Sequence, residues 1–267
     1  VEVEGFGGAL AVGDRVRIDR RHDAVGAEVV GAHADSAVLM LHGSSEGVSP
    51  GNSVVRERAP VIRPCGAWLG RVVDASGAAI DGGGQAPQGD VDYHLRAAPP
   101  PAALRRRMRG RIETGLRAFN TFLPVCKGQR MGIFAGSGVG KSTLLGMVAA
   151  NMKVDVIVVG LVGERGREVN EFVQDVLGAE GLQRSVVVAA TSDEPALVRR
   201  DAAYAAMATT EFFRDQGLHV LCLLDSVTRF ALAQREIGLA AGEPPSIRAY
   251  PPSVFSRLSG LLERAGP

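Results

Sequence analysis

The string AGSGVGKST, Ala135–Thr143, constrains the fold of this chain more than any other segment. It lies between an apolar run, MGIFA (Met131–Ala135), and a stretch of helical spacing, KSTLLGMVAANM. Closely spaced glycines let backbone N–H groups curl around phosphate oxygens, and the N-terminus of the following helix adds partial positive charge. Gly136, Ser137, Gly138, Val139, Gly140, Lys141, Ser142 and Thr143 therefore read as a phosphate cradle. In it Lys141 reaches the β- and γ-phosphates and Ser142 is a Mg2+ ligand. The general pattern has Gly where Ala135 stands. Three further apolar runs, VDVIVVGLV (Val154–Val162), SVVVAA (Ser185–Ala190) and HVLCLLD (His219–Asp225), read as buried parallel strands. REVNEFVQDVLG and RRDAAYAAMATTEFFRDQ, between them, have helical spacing. Such alternation predicts an α/β fold with a parallel sheet covered on both faces.

Two carboxylates fall at strand ends. Asp225 closes the run VLCLL, at the carboxyl edge where open α/β sheets collect ligands. It reads either as an Asp that holds Mg2+ through water or as a cap for the helix VTRFALAQRE. Glu164 follows VDVIVVGLVG and also has two readings. It either orients the attacking water and accepts its proton, or caps and ion-pairs a helix beside Arg165 and Arg167. The functional reading gains from convergence, because three strand ends deliver Lys141, Glu164 and Asp225 to one crevice.

Residues 1–62 have a different texture. RVRID (Arg15–Asp19), AEVVGAH (Ala27–His33) and AVLML (Ala37–Leu41) alternate or are β-branched, with turn-rich segments between, as in a small all-β module. Pro60, Pro64 and Gly66 mark a boundary, and DGGGQAPQGD (Asp81–Asp90) reads as an exposed loop. Lys+Arg 30 against Asp+Glu 29 gives a net charge of +1, so a polyanionic partner has to be argued from a local patch. The one basic cluster, LRRRMRGR (Leu104–Arg111), lacks neighbouring aromatics for base stacking and reads as a solvated or subunit-contact face. Cys65, Cys126 and Cys222 are scattered, which fits neither a disulfide framework nor a zinc site. No apolar run reaches the roughly 20 residues of a membrane span, so a cytosolic protein is expected. The first residue is Val and the chain stops soon after SRLSGLLER, as expected of a piece of something longer.

With these residues in view, the chain resembles the flagellar and type III protein export ATPases, relatives of the catalytic subunit of the rotary ATP synthase. The matching strings include LGRVVDASGAAID, TGLRAFNTFLPVCKGQRMGIFAGSGVGKSTLL, GLVGERGREVNEF, TSDEPALVRRDAAY, LLDSVTRFALAQREIGLAAGEPPS and YPPSVFSRL. The resemblance implies a small N-terminal β-barrel over residues 1–62 and a RecA-like P-loop core over 63–267. That core is incomplete at its C-terminal end, with the helical C-terminal domain and the arginine finger beyond Pro267. It implies hydrolysis of Mg-ATP in a homohexameric ring that unfolds or delivers export substrates. The implied catalytic residues are Lys141, the water-activating Glu164, and Arg165 and Arg229 near the γ-phosphate. Ser142, Asp225 and Glu168 are implied around the Mg2+. Implied partners are a regulator, a stalk protein, the export gate and chaperone–substrate complexes, with no specific nucleic acid. The implied place is cytoplasmic, peripheral at the cytoplasmic face of the inner membrane. Asn120 and Ala249 depart from the family pattern at positions without a chemical role. An injectisome ATPase, a non-catalytic nucleotide-holding subunit and an RNA translocase are the alternatives. Glu164 argues against the second, and Phe6 as the lone aromatic of residues 1–62 argues against the third.

Overall fold

Alternation of buried and exposed residues builds the first sheet. In β2 (Arg15–Asp19) Val16 and Ile18 are buried while Arg17 faces solvent, the two-residue period of a half-buried strand. β1 (Glu2–Glu4), β3 (Ala24–Ala32), β4 (Ser36–Leu41) and β5 (Ser53–Arg56) join it antiparallel in the order β1-β4-β3-β2-β5. Val16, Ile18, Val25, Ala27, Val29, Ala37 and Leu39 fill one face. The result is an antiparallel half-barrel, in keeping with the small β module expected there. The computed structural model describes residues 1–5, 9–136 and 138–266, so the singled-out residues Phe6 and Ser137 lie outside the described residues.

Short elements link this sheet to the core. β6 (Val61–Ile62) pairs with β8 (Tyr93–His94), and between them β7 (Val72–Val73) joins the central sheet. Trp68 is fully buried, and its Nε1 donates to the Pro87 carbonyl at 2.7 Å, anchoring the expected loop. β9 (Arg109–Ile112) and β10 (Val125–Lys127) form a ribbon around α1 (Arg117–Phe122). Within the basic cluster Arg105 pairs with Glu263 at 3.0 Å, and Arg106, Arg107 and Arg109 are exposed.

The core alternates as expected. Its elements are α2 (Lys141–Asn151), β11 (Val156–Glu164), α3 (Gly166–Glu171), a π-helical turn Phe172–Leu177, α4 (Gly178–Gln183), β12 (Ser185–Thr191), α5 (Ala196–Asp215), β13 (Val220–Asp225), α6 (Val227–Ala240) and α7 (Pro252–Arg264). The strands run parallel in the order β13-β11-β12-β7. Val158, Val162, Val186 and Val188 face α5 and Phe230 of α6. Ile157, Val159, Leu161, Val187 and Ala189 face Leu145 and Ala149 of α2. Both faces of the sheet are thus covered, which is why its strands read as unbroken apolar runs.

One local expectation is corrected and a second is refined. Met131–Ala135, predicted as a strand, makes no ladder with any described strand, and Phe134 is 98% exposed. Gly132 within this stretch, and Gly128 and Gly136 on either side of it, leave little side chain to pack, and only Ile133 reaches the core. REVNEFVQDVLG (Arg167–Gly178) is helical as its spacing suggests but is not one α-helix: α3 passes into the π-helical turn at Phe172, and α4 starts at Gly178. β7 was not anticipated, because two residues carry too little pattern.

Candidate functional site

The carboxyl ends of β11 and β13 and the start of α2 meet at one edge of the sheet. Asp225 pairs in register with Leu161, so its side chain lies on the α2 face. Glu164 reaches the same face by a different route. Simple alternation would place it with Val158 and Val162, towards α5. The ladder shifts between Val162 and Glu164, which pair with Ala190 and Thr191, so Gly163 is an extra residue in a β-bulge. Gly163 has φ +69°, which a side-chain-bearing residue adopts only at a cost. The bulge turns Glu164 onto the face that carries Asp225.

Gly140 takes the N-cap position of α2 and no side chain caps that helix. The first-turn N–H groups of Lys141, Ser142 and Thr143 are therefore left for an external acceptor, and an oxyanion satisfies both them and the helix dipole. Lys141 Nζ lies on Asp225 Oδ1, and Asp225 is buried. These are donors suited to a magnesium-bound polyphosphate. They comprise hard oxygen ligands from Asp225 and the Ser142 hydroxyl, the Lys141 ammonium and the first-turn backbone N–H groups of α2. Gly136, Gly138, Val139 and Gly140 form the exposed loop before the helix.

Glu164 is gripped from α6. Arg229 Nε lies 3.0 Å from its Oε1 and Nη2 donates to its Oε2 at 3.0 Å, a two-point clamp. Burial, and then a hydrogen bond with Glu168, push the Glu164 carboxyl up to about 7, against the pull of Arg229; the Asp225 charge acts in the same upward direction. A carboxyl poised there can take a proton at neutral pH. Glu168 is held low, first by that shared hydrogen bond and then by the Arg165 N–H. Arg165 caps α3 and lies 3.7 Å from Glu168, with its side chain largely exposed. The structure thus gathers Lys141, Asp225, Glu164, Glu168 and Arg229 at one edge and sets Arg165 at its rim.

Sequence reasoning missed a second charged cluster, where the half-barrel meets α5. Arg200 donates to Glu28 at 3.0 and 2.6 Å and to Asp201 at 2.7 Å. Arg15 pairs with Asp201 and Arg96 with Glu28. The signal was a Glu inside the β-branched run AEVV and an RRD triplet opening a helix. Glu28, His42 and Asp201 bring potential ligand atoms within 4.8 Å of one another, but three guanidiniums already occupy the carboxylates and oppose a cation.

Residues 115–267 match the ATP synthase alpha/beta family, nucleotide-binding domain. The chain belongs to the ATP synthase alpha/beta family. Among its relatives, the flagellum-specific ATP synthase of Caulobacter vibrioides is 57% identical over 269 residues, covering 100% of this chain and 61% of that protein. Among solved structures, the assembled ATPase EscN of the enteropathogenic E. coli type III secretion system superposes with a TM-score of 0.90 at 43% identity. That match covers 97% of this chain and 62% of EscN. EscN in complex with its central stalk EscO gives a TM-score of 0.88 at 43% identity, over 96% of this chain and 63% of that one. This ATP synthase alpha/beta family chain thus spans about three-fifths of the length of the relatives it matches.

Proposed function

We propose that this chain is the nucleotide-hydrolysing part of a flagellar protein export ATPase. The observation that carries the reading is the meeting of Lys141 and Asp225 with the Arg229-clamped Glu164 at the sheet edge beside an uncapped helix start. The N–H groups of α2 and Lys141 bind the β- and γ-phosphates of ATP. Ser142 and Asp225, with Glu168 beside them, would hold Mg2+, which when bound would neutralise charge on the phosphate oxygens. Glu164 orients a water in line with the γ-phosphorus and takes its proton as the new P–O bond forms and the bond to ADP breaks. Arg229 fixes the Glu164 carboxylate, and Arg165 at the rim faces the γ-phosphate side.

Residues 1–62 form the N-terminal module and 63–267 the ATPase core. The working unit is a homohexameric ring on a central stalk, a reading supported by the assembled EscN and its EscO complex. Regulator, export gate and chaperone–substrate complexes are its further partners, met at the cytoplasmic face of the inner membrane. No described helix is long and apolar enough to cross a membrane. The flagellar assignment over an injectisome one is supported by 57% identity over 100% of the chain to the Caulobacter protein, against 52% over 90% of it to the type 3 secretion system ATPase of Xanthomonas euvesicatoria. The test is phosphate release from Mg-ATP together with binding of a fluorescent ATP analogue, using the full-length protein. Lys141→Ala abolishes binding. Glu164→Gln keeps binding and lowers turnover about 10²–10⁴-fold, the usual contribution of a general base. Equal loss of binding in both variants would make Glu164 structural and overturn the reading.

A further inference from the structure

Arg199 lies in the first turn of α5 and touches the machinery at three places. Its Nε donates to the Glu194 carbonyl at 2.9 Å and its Nη2 to Glu236 Oε2 at 2.6 Å. Glu194 Oε2 in turn accepts from the Thr191 N–H at 2.8 Å, and Thr191 is the ladder partner of Glu164. The Ser192 N–H donates to the Glu164 carbonyl at 3.0 Å. Glu236 lies about two turns along α6 from Arg229. Arg199 therefore bridges the segment that closes β12 and the helix that brings Arg229 to Glu164.

The third contact is with the bulge itself. A Cβ placed on Gly163 would sit 3.1 Å from Arg229 Cδ and 3.6 Å from Arg199 Cδ, so both arginine stems pack against the same peptide. Each guanidinium is held by its own carboxylate, Arg199 by Glu236 and Arg229 by Glu164. A bridge holds a distance only if its base is fixed. The residues that follow Arg199 supply that base, because Arg200 and Asp201 are buried in the charge cluster with Glu28, Arg15 and Arg96.

We propose that Arg199 is a positioning residue for hydrolysis: by tying the Glu194 carbonyl to Glu236 it holds α6 where Arg229 clamps Glu164. This rests on the hydrolase reading above. The side-chain donors of Arg199 go to the Glu194 carbonyl and Glu236, so its loss acts on the orientation of the base and leaves phosphate binding intact. Misplacing a reacting group by about 1 Å can lower a rate about 10²-fold.

The experiment measures kcat and KM for Mg-ATP in the full-length protein with Arg199→Gln, Arg199→Lys, Glu236→Gln and the Arg199→Gln/Glu236→Gln double variant. Thermal melting monitors folding in each. Arg199→Gln is expected to lower kcat about tenfold with KM changed less than about twofold, and Arg199→Lys to restore part of the loss. The double variant should be no worse than Arg199→Gln, since one bridge is broken either way. An unchanged kcat, a KM rise matching the kcat loss, or additive effects would overturn the proposal. Failure of the hydrolase reading appears separately, as an absence of turnover that depends on Lys141. The bridge is still tested in that case by a stability cycle between Glu164→Gln and Arg229→Gln. A coupling that persists unchanged in Arg199→Gln refutes the bridge whatever the turnover.

Discussion

Replacing Gly163 by Ala tests whether the bulge aims the site. Gly163 has φ +69°, where a residue with a Cβ costs about 1–2 kcal/mol. The new Cβ would also meet Arg229 Cδ at 3.1 Å and its Cβ at 3.3 Å, which forces that side chain outward by a few tenths of an ångström. The clamp on Glu164 is partly exposed, so loosening it adds no more than about 1 kcal/mol. The sum is a destabilisation of about 2 kcal/mol. With a typical urea slope of about 2 kcal/mol per molar, the midpoint moves down by about 1 M. Turnover should suffer more than stability, falling about 10–100-fold, because the carboxylate is turned as well as loosened. Gly217→Ala is the control. It also has positive φ, +83°, but nothing within 4 Å of its added Cβ, so it should lose about 1 kcal/mol and no turnover. Tryptophan fluorescence from the lone, fully buried Trp68 follows both unfolding curves. A Gly163→Ala protein with wild-type midpoint and turnover would refute the argument that the bulge carries Glu164 to its face.

The other expectations concern the charge clusters. Glu28→Gln leaves Arg200 and Arg96 without their buried carboxylate and should cost about 3–5 kcal/mol in urea unfolding; a loss below about 1 kcal/mol would mean the cluster is solvated. Acid should weaken the fold through Asp81 and Asp201. Arg71, with the Val72 and Gly83 N–H groups, holds Asp81 below its usual range. Burial alone would raise Asp201, yet Arg200, His42 and Arg15 outweigh it and hold it low. Both groups have folded pKa values below their unfolded ones, so their stabilisation is complete above about pH 4 and fades as pH falls towards the folded values. The melting temperature should therefore fall more steeply below about pH 4 in the parent than in Asp81→Asn; parallel curves would contradict the assignment.

Much of the core was legible because burial on both faces writes continuous apolar runs. Val156–Glu164, Ser185–Thr191 and Val220–Asp225 fall close to where the sequence places strands. The meeting of Lys141, Glu164 and Asp225 at one sheet edge was legible too, since strand ends and a glycine-rich loop are local features. The bulge was not. Whether Gly163 is an ordinary strand residue or an inserted one depends on its partner strand, β12, which no local pattern reports. The same holds for Glu28, whose charge inside an apolar strand becomes intelligible only once Arg200 arrives from α5. MGIFA failed for the opposite reason, because its apolar letters suggest a strand while Gly132 and the exposed Phe134 leave little to hold it in the sheet.

α5 has a consequence for the order of assembly. Ala202, Ala203, Ala205, Ala206 and Ala208 are all buried in it, and alanine loses no rotamer freedom on burial. At 20 residues α5 is long enough to persist transiently as an isolated helix. The sheet it covers needs distant partners, since Val72 and Val73 pair with Val187 and Val188 across most of the core sequence. Closing that loop is slow relative to helix growth. α5 should thus form early, with β11, β12 and β13 condensing on its alanine face and the short edge strand β7 docking last.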